Sequence, residues 1–324
     1  MSMMMSMMAA QMRAAGGGGL DPNIGINWSI RASADAAWND VCWSPAAGLY
    51  VAVSGGPTNY VMTSPDGITW TPRAAPAGAW EAVCWSESLG MFAAVGSDGS
   101  IMTSASGTSW EAKTGPSGNI WRDICWADAL GLFVAISSGA TDTNKRAMTS
   151  SDGITWVAQT TPTGAFFSVN WAASKGLLLA TSSSGTISAT STNGTTWTAR
   201  TQPARDFYTC CWADGIGLFV AVAYSGTASS RVHTSADGIS WAAQVTPGDK
   251  GWFDVEWAAE RGLLVAVALG GTSQRVMTSP DGIAWTLRTT PADNAWRGVC
   301  WGAGPSKFVA VASSGTGNRV MTSL

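Results

Sequence analysis

Residues 38–73 read WNDVCWSPAAGLYVAVSGGPTNYVMTSPDGITWTPR, and this sentence is written seven times along the chain. Its second Trp falls at Trp43, Trp85, Trp126, Trp171, Trp212, Trp257 and Trp301, in steps of 41 to 45 residues. A fixed period of that length is the mark of a repeat architecture. Within the unit the periodicity is that of strands. Side chains of Trp38 to Trp43 alternate between two faces, and Leu49 to Val53 is a short run rich in β-formers. Ser44 to Gly48 and Ser64 to Gly67 carry turn chemistry. Val61–Thr63 and Ile68–Thr71 complete four short strands per unit. No apolar stripe at helical spacing runs through the repeats.

Four strands in about 43 residues describe a β-propeller blade, so the expected fold is all-β, a seven-bladed β-propeller of four-stranded blades. The chain ends at Arg319 to Leu324, where a turn and a fourth strand should follow. The missing piece stands at the other end, because Gly25 to Arg31 matches Gly67 to Arg73. The last blade is therefore expected to be closed by the N-terminal strand, which also covers an open sheet edge. Two regions result: a Met/Ala-rich tail with a Gly linker over 1–22, and the propeller over 23–324.

Most conspicuous residues belong to the repeat. All 19 Trp occupy three repeat slots: the second Trp, the Trp after the D-G turn, and the leading aromatic, which is Phe at Phe166 and Phe207. Cys42, Cys84, Cys125, Cys211 and Cys300 share one slot, filled by Asn170 and Glu256 in the other two blades, while Cys210 takes a Val slot. They read as reduced, buried thiols acting as small apolar residues. No C-x-x-C or Cys/His pairing points to a metal. Asp40, Asp123 and Asp254 share another slot and read as solvated channel lining. The lone His233 sits where other blades carry Met, and the recurring arginines read as rim or inter-blade residues. With a net charge of -3 and 12% charged residues, neither nucleic acid nor an anionic membrane is an expected partner.

The segment Ser64-Pro65-Asp66-Gly67-Ile68-Thr69-Trp70, echoed at Ser279 to Trp285, resembles the Asp-box of BNR-type propellers. Those repeats occur in sialidases, sortilin-like receptors and photosystem II assembly-factor propellers. The present box lacks the residue usual between Asp and Gly, and degrades to Ser106-Gly107 and Asn193-Gly194. The longer G-L-F-V-A-V…R-V-M-T-S-x-D-G-I-x-W-T form looks like repeats of bacteriophage structural and tail-associated proteins. That resemblance implies a virion-associated binding or structural protein, hence a virion location for a phage-encoded chain. A sialidase would need an arginine cluster, a Tyr–Glu nucleophile pair and an acid. The four Tyr offer no evident Glu partner, so neither an enzyme nor a cofactor is expected.

Two parts stand outside the uniform pattern. The tail carries Met3, Met4, Met5, Met7, Met8 and Met12, adaptable side chains suited to docking on a protein partner such as a virion component, ahead of the flexible Gly16 to Gly19. It is too short to span a bilayer, and its sole Arg follows the apolar run, unlike a signal peptide. The second-to-third-strand loops vary in length, with Ser137 to Lys145 and Tyr224 to Ser230 the long ones. They share a face with the Pro-containing blade connections. Candidate ligand-binding residues there are Asp142, Asn144, Lys145, Arg146, Arg205, Asp206, Tyr224, Asp249 and Lys250. A multivalent lectin, binding a surface glycan through quasi-equivalent blades, is the alternative reading. A BNR-type glycosidase or an assembly factor ranks below both.

Overall fold

The computed structural model describes residues 23–56, 60–226 and 230–323. They form seven antiparallel four-stranded sheets. The first blade consists of Trp38–Ser44, Leu49–Ser54, Val61–Ser64 and Thr71–Arg73, from the axis outward. The seventh pairs Trp296–Gly302, Lys307–Ala312 and Val320–Ser323 with the N-terminal strand Trp28–Arg31. Trp28 lies opposite Ser323 and Arg31 opposite Val320 in that closing register. No helix among the described residues is long and apolar enough to cross a membrane.

Each blade face is apolar and is covered only by its neighbour. The hydrophobic core is accordingly seven clusters, each straddling two blades. Trp80 of the second blade packs with Val51, Val53 and Val61 of the first. Trp38 and Tyr50 of the first pack with Val309, Val311 and Val320 of the seventh, which closes the ring. The leading Trp side chains are completely buried. Burying an indole of that size contributes a few kcal/mol, making this slot the main wedge between blades.

The outer strand begins later than expected. Ile68 to Trp70 belong to the turn, and the strand is Thr71–Arg73. The cause is the Asp66 carboxylate, whose Oδ1 accepts the amides of Ile68 and Thr69 at 2.8 and 2.9 Å. Ser64 Oγ accepts the Gly67 amide at 2.8 Å, and Trp70 Nε1 donates to the Gly67 carbonyl at 3.0 Å. Those backbone bonds hold Asp66 ionised below the usual carboxylate range. Gly67 has φ +72°, and a Cβ there would come within 2.7 Å of Val309 in the neighbouring blade. Glycine is thus required twice over. The loop expected over Ser137 to Lys145 is also shorter, since the strand runs on through Leu132–Ala140 and pairs with Asn119–Ala127.

Closure predicts a sharp contrast between two substitutions. Trp28 is 8% exposed and packs with Trp296 and Phe308, whereas Ile154 in a turn is 60% exposed. Trp28→Ala should cost about 3–5 kcal/mol and Ile154→Ala less than about 0.5 kcal/mol, read by denaturant unfolding of each variant.

Candidate functional site

One irregularity recurs at the start of every inner strand. Trp38 pairs with Ser54 but Asp40 with Val53, leaving Asn39 as a bulged residue. Equivalent shifts occur at Trp80/Ala82, Trp121/Asp123, Phe166/Ser168, Phe207/Thr209, Trp252/Asp254 and Trp296/Gly298. A bulge re-aims the side chain of its extra residue. Here the extra residues are Asn39, Glu81, Arg122, Phe167, Tyr208, Phe253 and Arg297, and all of them line the axial channel.

Their side chains form a continuous ring. Arg122 Nη1 donates to Glu81 at 3.0 Å, and its guanidinium stacks over Phe167 at 4.9 Å. Phe167 meets Tyr208 edge-on at 5.3 Å between centroids, and Tyr208 lies 4.7 Å from Phe253. Arg297 stacks over Phe253 at 4.8 Å and donates to Asn39 at 2.9 Å. It also reaches Glu81 at 3.9 Å. Two guanidiniums thus share one carboxylate, leaving the ring one positive charge in surplus. Burial, followed by the charge of Arg122, lowers the Arg297 pKa, and Glu81 opposes that shift. Tyr208 is pushed up by burial and by Asp206. The ring sits at the strand ends from which the blade connections and the second-to-third-strand loops leave, so it is the centre of the uneven face.

Beneath the ring runs a channel of about 690 Å³. The three aspartates line the channel, as expected, and in addition latch blade to blade. Asp40 Oδ2 accepts the Val83 amide at 2.9 Å, Asp123 the Val169 amide at 2.8 Å, and Asp254 the Val299 amide at 2.7 Å. Their other oxygens accept the amides of Val41, Ile124 and Val255 in their own strands. The physical reason is the bulge, which turns this slot toward the next inner strand. Enclosure by protein raises all three: Asp123 to about 7, Asp254 to about 6, and Asp40 upward through burial and the charge of Asp254. Glu256, beside Asp254, rises to about 8 for the same two causes. The cysteines are free and pack with the seams while also lining the channel: Cys210, Cys211 and Cys300 are buried members of core clusters, Cys42, Cys84 and Cys125 are half-buried against them, and burial raises the thiols. Among the described residues no group of three His, Cys, Asp or Glu is placed to hold a metal.

The nine sequence candidates divide into two groups separated by the fourth blade. In the third blade, Asp142 lies 3.9 Å from Lys145, Asn144 bonds Thr163 at 3.1 Å, and Arg146 donates to the Ser138 and Thr143 carbonyls. Around the fifth and sixth blades, Asp206 accepts from Ser225, Asp249 pairs with Arg231, and Lys250 Nζ donates to the Thr272 carbonyl at 2.5 Å. Arg205 donates to the Ala204 carbonyl at 2.9 Å. Most of these charges are engaged in fastening loops. Tyr224 is 40% exposed and reaches the ring directly, its centroid 5.9 Å from Tyr208. The six tail methionines lie outside the described residues. Apart from Tyr208, met only as one of four tyrosines, the bulge slot went unread. Its mixture of acid, base and aromatic residues is visible in the sequence, but neighbouring slots vary too, and only the pairing irregularity shows where this one points.

No protein-family model and no curated protein matches the sequence. Solved structures do match. A catalytically inactive histidine-to-alanine variant of virginiamycin B lyase from Staphylococcus aureus with quinupristin superposes with TM-score 0.77 at 10% identity, covering 92% of this chain and 99% of that one. YCF48 bound to D1 peptide gives TM-score 0.67 at 15% identity, covering 94% and 95%. YCF48 from Cyanidioschyzon merolae gives 0.66 at 17%, covering 92% and 98%. At such identities the likeness defines the fold, a seven-bladed β-propeller, and nothing finer. None of the three is a bacteriophage protein.

The axial carboxylates make stability depend on pH with a definite sign. A glutamate held near 8 in the fold keeps its proton while the unfolded chain loses it from about 4.5 upward, so its penalty grows between those values and is constant above them. Glu256→Gln keeps an acceptor for the Trp301 amide, 3.4 Å away. It should therefore raise the melting temperature at pH 9 and leave it unchanged at pH 5, as followed by circular dichroism.

Proposed function

We propose that the chain is a non-enzymatic binding propeller whose ligand face is the uneven one, with the bulge ring at its centre, and that its ligand is a peptide segment of a protein partner. The observation that carries this is the ring itself. The repeat places Asn, Glu, Arg, Phe, Tyr, Phe and Arg in the bulged slot at the mouth of the channel, the slot that mixes acid, base and aromatic residues. Packing between blades needs no such diversity, whereas recognition of an irregular ligand does. Convergent aromatic and charged groups at the mouth of a cavity are the usual composition of a binding site. A propeller of the same fold, YCF48, has been captured with D1 peptide, which supports a peptide as ligand.

Support for a role without catalysis comes from His233. It is 4% exposed in the third strand of the fifth blade, edge-on to Phe207 at 5.2 Å. Burial, then the charge of Arg205, lowers its pKa to about 4. It does not line the channel, so it offers no base to a ligand at the ring. On this reading the tail over residues 1–22 is the anchor, to a virion component if the chain is phage-encoded. The chain enters the propeller at Asn23 and Gly25, in the place of a third-to-fourth-strand turn, where Trp28 Nε1 donates to the Gly25 carbonyl. That turn lies on the face opposite the ring, so anchorage there leaves the ring facing outward.

Selection of displayed random peptides against the full chain tests the proposal. Selected peptides should bind Tyr208→Ala and Arg297→Gln at least about tenfold more weakly, the scale of a central anchor. Binding to Ile154→Ser, on the opposite face, should be unchanged. Failure to select any peptide, or equal binding by the ring variants, would overturn it. Glycan-array binding lost in Tyr208→Ala would establish the lectin reading in its place.

A further inference from the structure

We infer that the ring takes an acidic–aromatic motif: a ligand carboxylate exchanges with Glu81 between Arg122 and Arg297, while an adjacent flat apolar group lies on Tyr208. This rests on the ring being the ligand site and specifies what it selects. Three features of the geometry lead to it.

The first is charge. Arg122 and Arg297 come from the third and seventh blades and converge on a single acceptor, Glu81 of the second blade, at 3.0 and 3.9 Å. The longer contact is no hydrogen bond, and Arg297 Nε is buried without a partner among the described residues. One guanidinium is therefore under-satisfied, and a planar fork of donors is suited to bind a carboxylate bidentately. The surplus positive charge disfavours a cationic ligand at the same place.

The second is the aromatic arc. Phe167 and Phe253 each carry a guanidinium stacked on them, so their faces are partly taken. Tyr208 stands between them, contacting both rings edge-on or tilted, and Tyr224 flanks it from the loop above. A flat apolar group placed on Tyr208 would meet aromatic surface on three sides, with one guanidinium beyond Phe167 and the other beyond Phe253.

The third is access. The side chains of Arg122 and Arg297 are each 26% exposed and Glu81 15%. The donors can be reached from solvent while remaining desolvated enough for a charge-assisted bond to exceed one formed in water. Glu81 then acts as an internal competitor that holds the two like charges together until the ligand replaces it.

Phenylacetate is the minimal probe, with phenylacetamide lacking the charge and acetate lacking the ring. Saturation-transfer NMR titration of the full chain should show phenylacetate binding in the millimolar range, with each control at least about tenfold weaker. Arg297→Gln should abolish the preference over the amide, and Arg297→Lys should restore it only in part, because an ammonium lacks the fork. Tyr208→Ala should weaken the acid and the amide alike. Glu81→Gln is the decisive variant: by removing the competitor it should tighten phenylacetate binding about fivefold. A gain of affinity cannot arise from misfolding, so this arm stays informative even if the arginine variants unfold. Unchanged or weaker binding in Glu81→Gln, or equal binding of acid and amide by the unmodified chain, overturns the inference. Displayed peptides that need Tyr208 but lack acidic–aromatic pairs would refute this motif and leave the ligand face standing. Phenylacetate binding with no selectable peptide would do the reverse.

Discussion

Every blade presents apolar faces that only its two neighbours can cover, and the rest of the molecule follows from that constraint. Trp38, Trp80, Trp121, Trp252 and Trp296 are wedged into these seams with no exposed surface. Each seam is a nearest-neighbour contact, as in other repeat proteins, yet a ring differs from an open solenoid because it has no terminal repeat to cap. The seam between the first and seventh blades must therefore form like the others, and Trp38 with Val309 and Val311 supplies it. The closing strand Trp28–Arg31 completes the last sheet at its outer edge. Ring closure thus depends on residues nearly 300 positions apart, which suits a rigid scaffold built from short, locally simple pieces.

The same demand explains the bulge. A strand of plain alternation would send Trp38, Asp40 and Cys42 to one face and Asn39 and Val41 to the other. The observed packing puts Trp38 and Val41 in the seam with the seventh blade, while Asp40 reaches the second blade through the Val83 amide. One extra residue at the strand's start reconciles these requirements. The extra side chain then points over the axis, although buried Asn39 still donates to the Trp80 carbonyl of the next blade at 2.7 Å. Its identity changes from blade to blade, and seven such side chains converge on the axis.

This is why so much of the fold was legible and so little of the site. Trp, Gly and the D-G turn recur because each blade needs the same wedge and the same turn, so repetition exposed blade number, strand order and closure. The ring residues carry no repeated identity. Phe167, Phe253, Arg122 and Arg297 share no residue type and belong to no sequence motif. Only the bulge, which is a pairing irregularity with no residue signature of its own, shows that they share a direction. The loop candidates were found by length variation, yet most of their charges are spent on loop carbonyls, as Lys250 is on Thr272 and Arg146 on Ser138. The aspartates were legible as channel lining, but their bonds to the next blade were not, because strand alternation does not show which neighbouring strand a side chain reaches.

The axial electrostatics fit a site at the mouth better than one inside the channel. Asp40, Asp123 and Asp254 are committed to neighbouring backbone amides, and burial raises all three, with the charge of Asp254 adding to the rise at Asp40 and Asp123. A ligand entering deeply would have to break those latches, each of which joins two blades, and so would work against the ring that holds it. At the mouth the balance is reversed. Arg122, Arg297 and Glu81 join neighbouring blades only through side-chain contacts that are partly solvated, and the aromatic arc has a face to offer. Exchange of one carboxylate for another there leaves every seam intact. In the first, third and sixth blades the latching aspartate and the residue at the channel mouth are consecutive: Asn39 and Asp40, Arg122 and Asp123, Phe253 and Asp254.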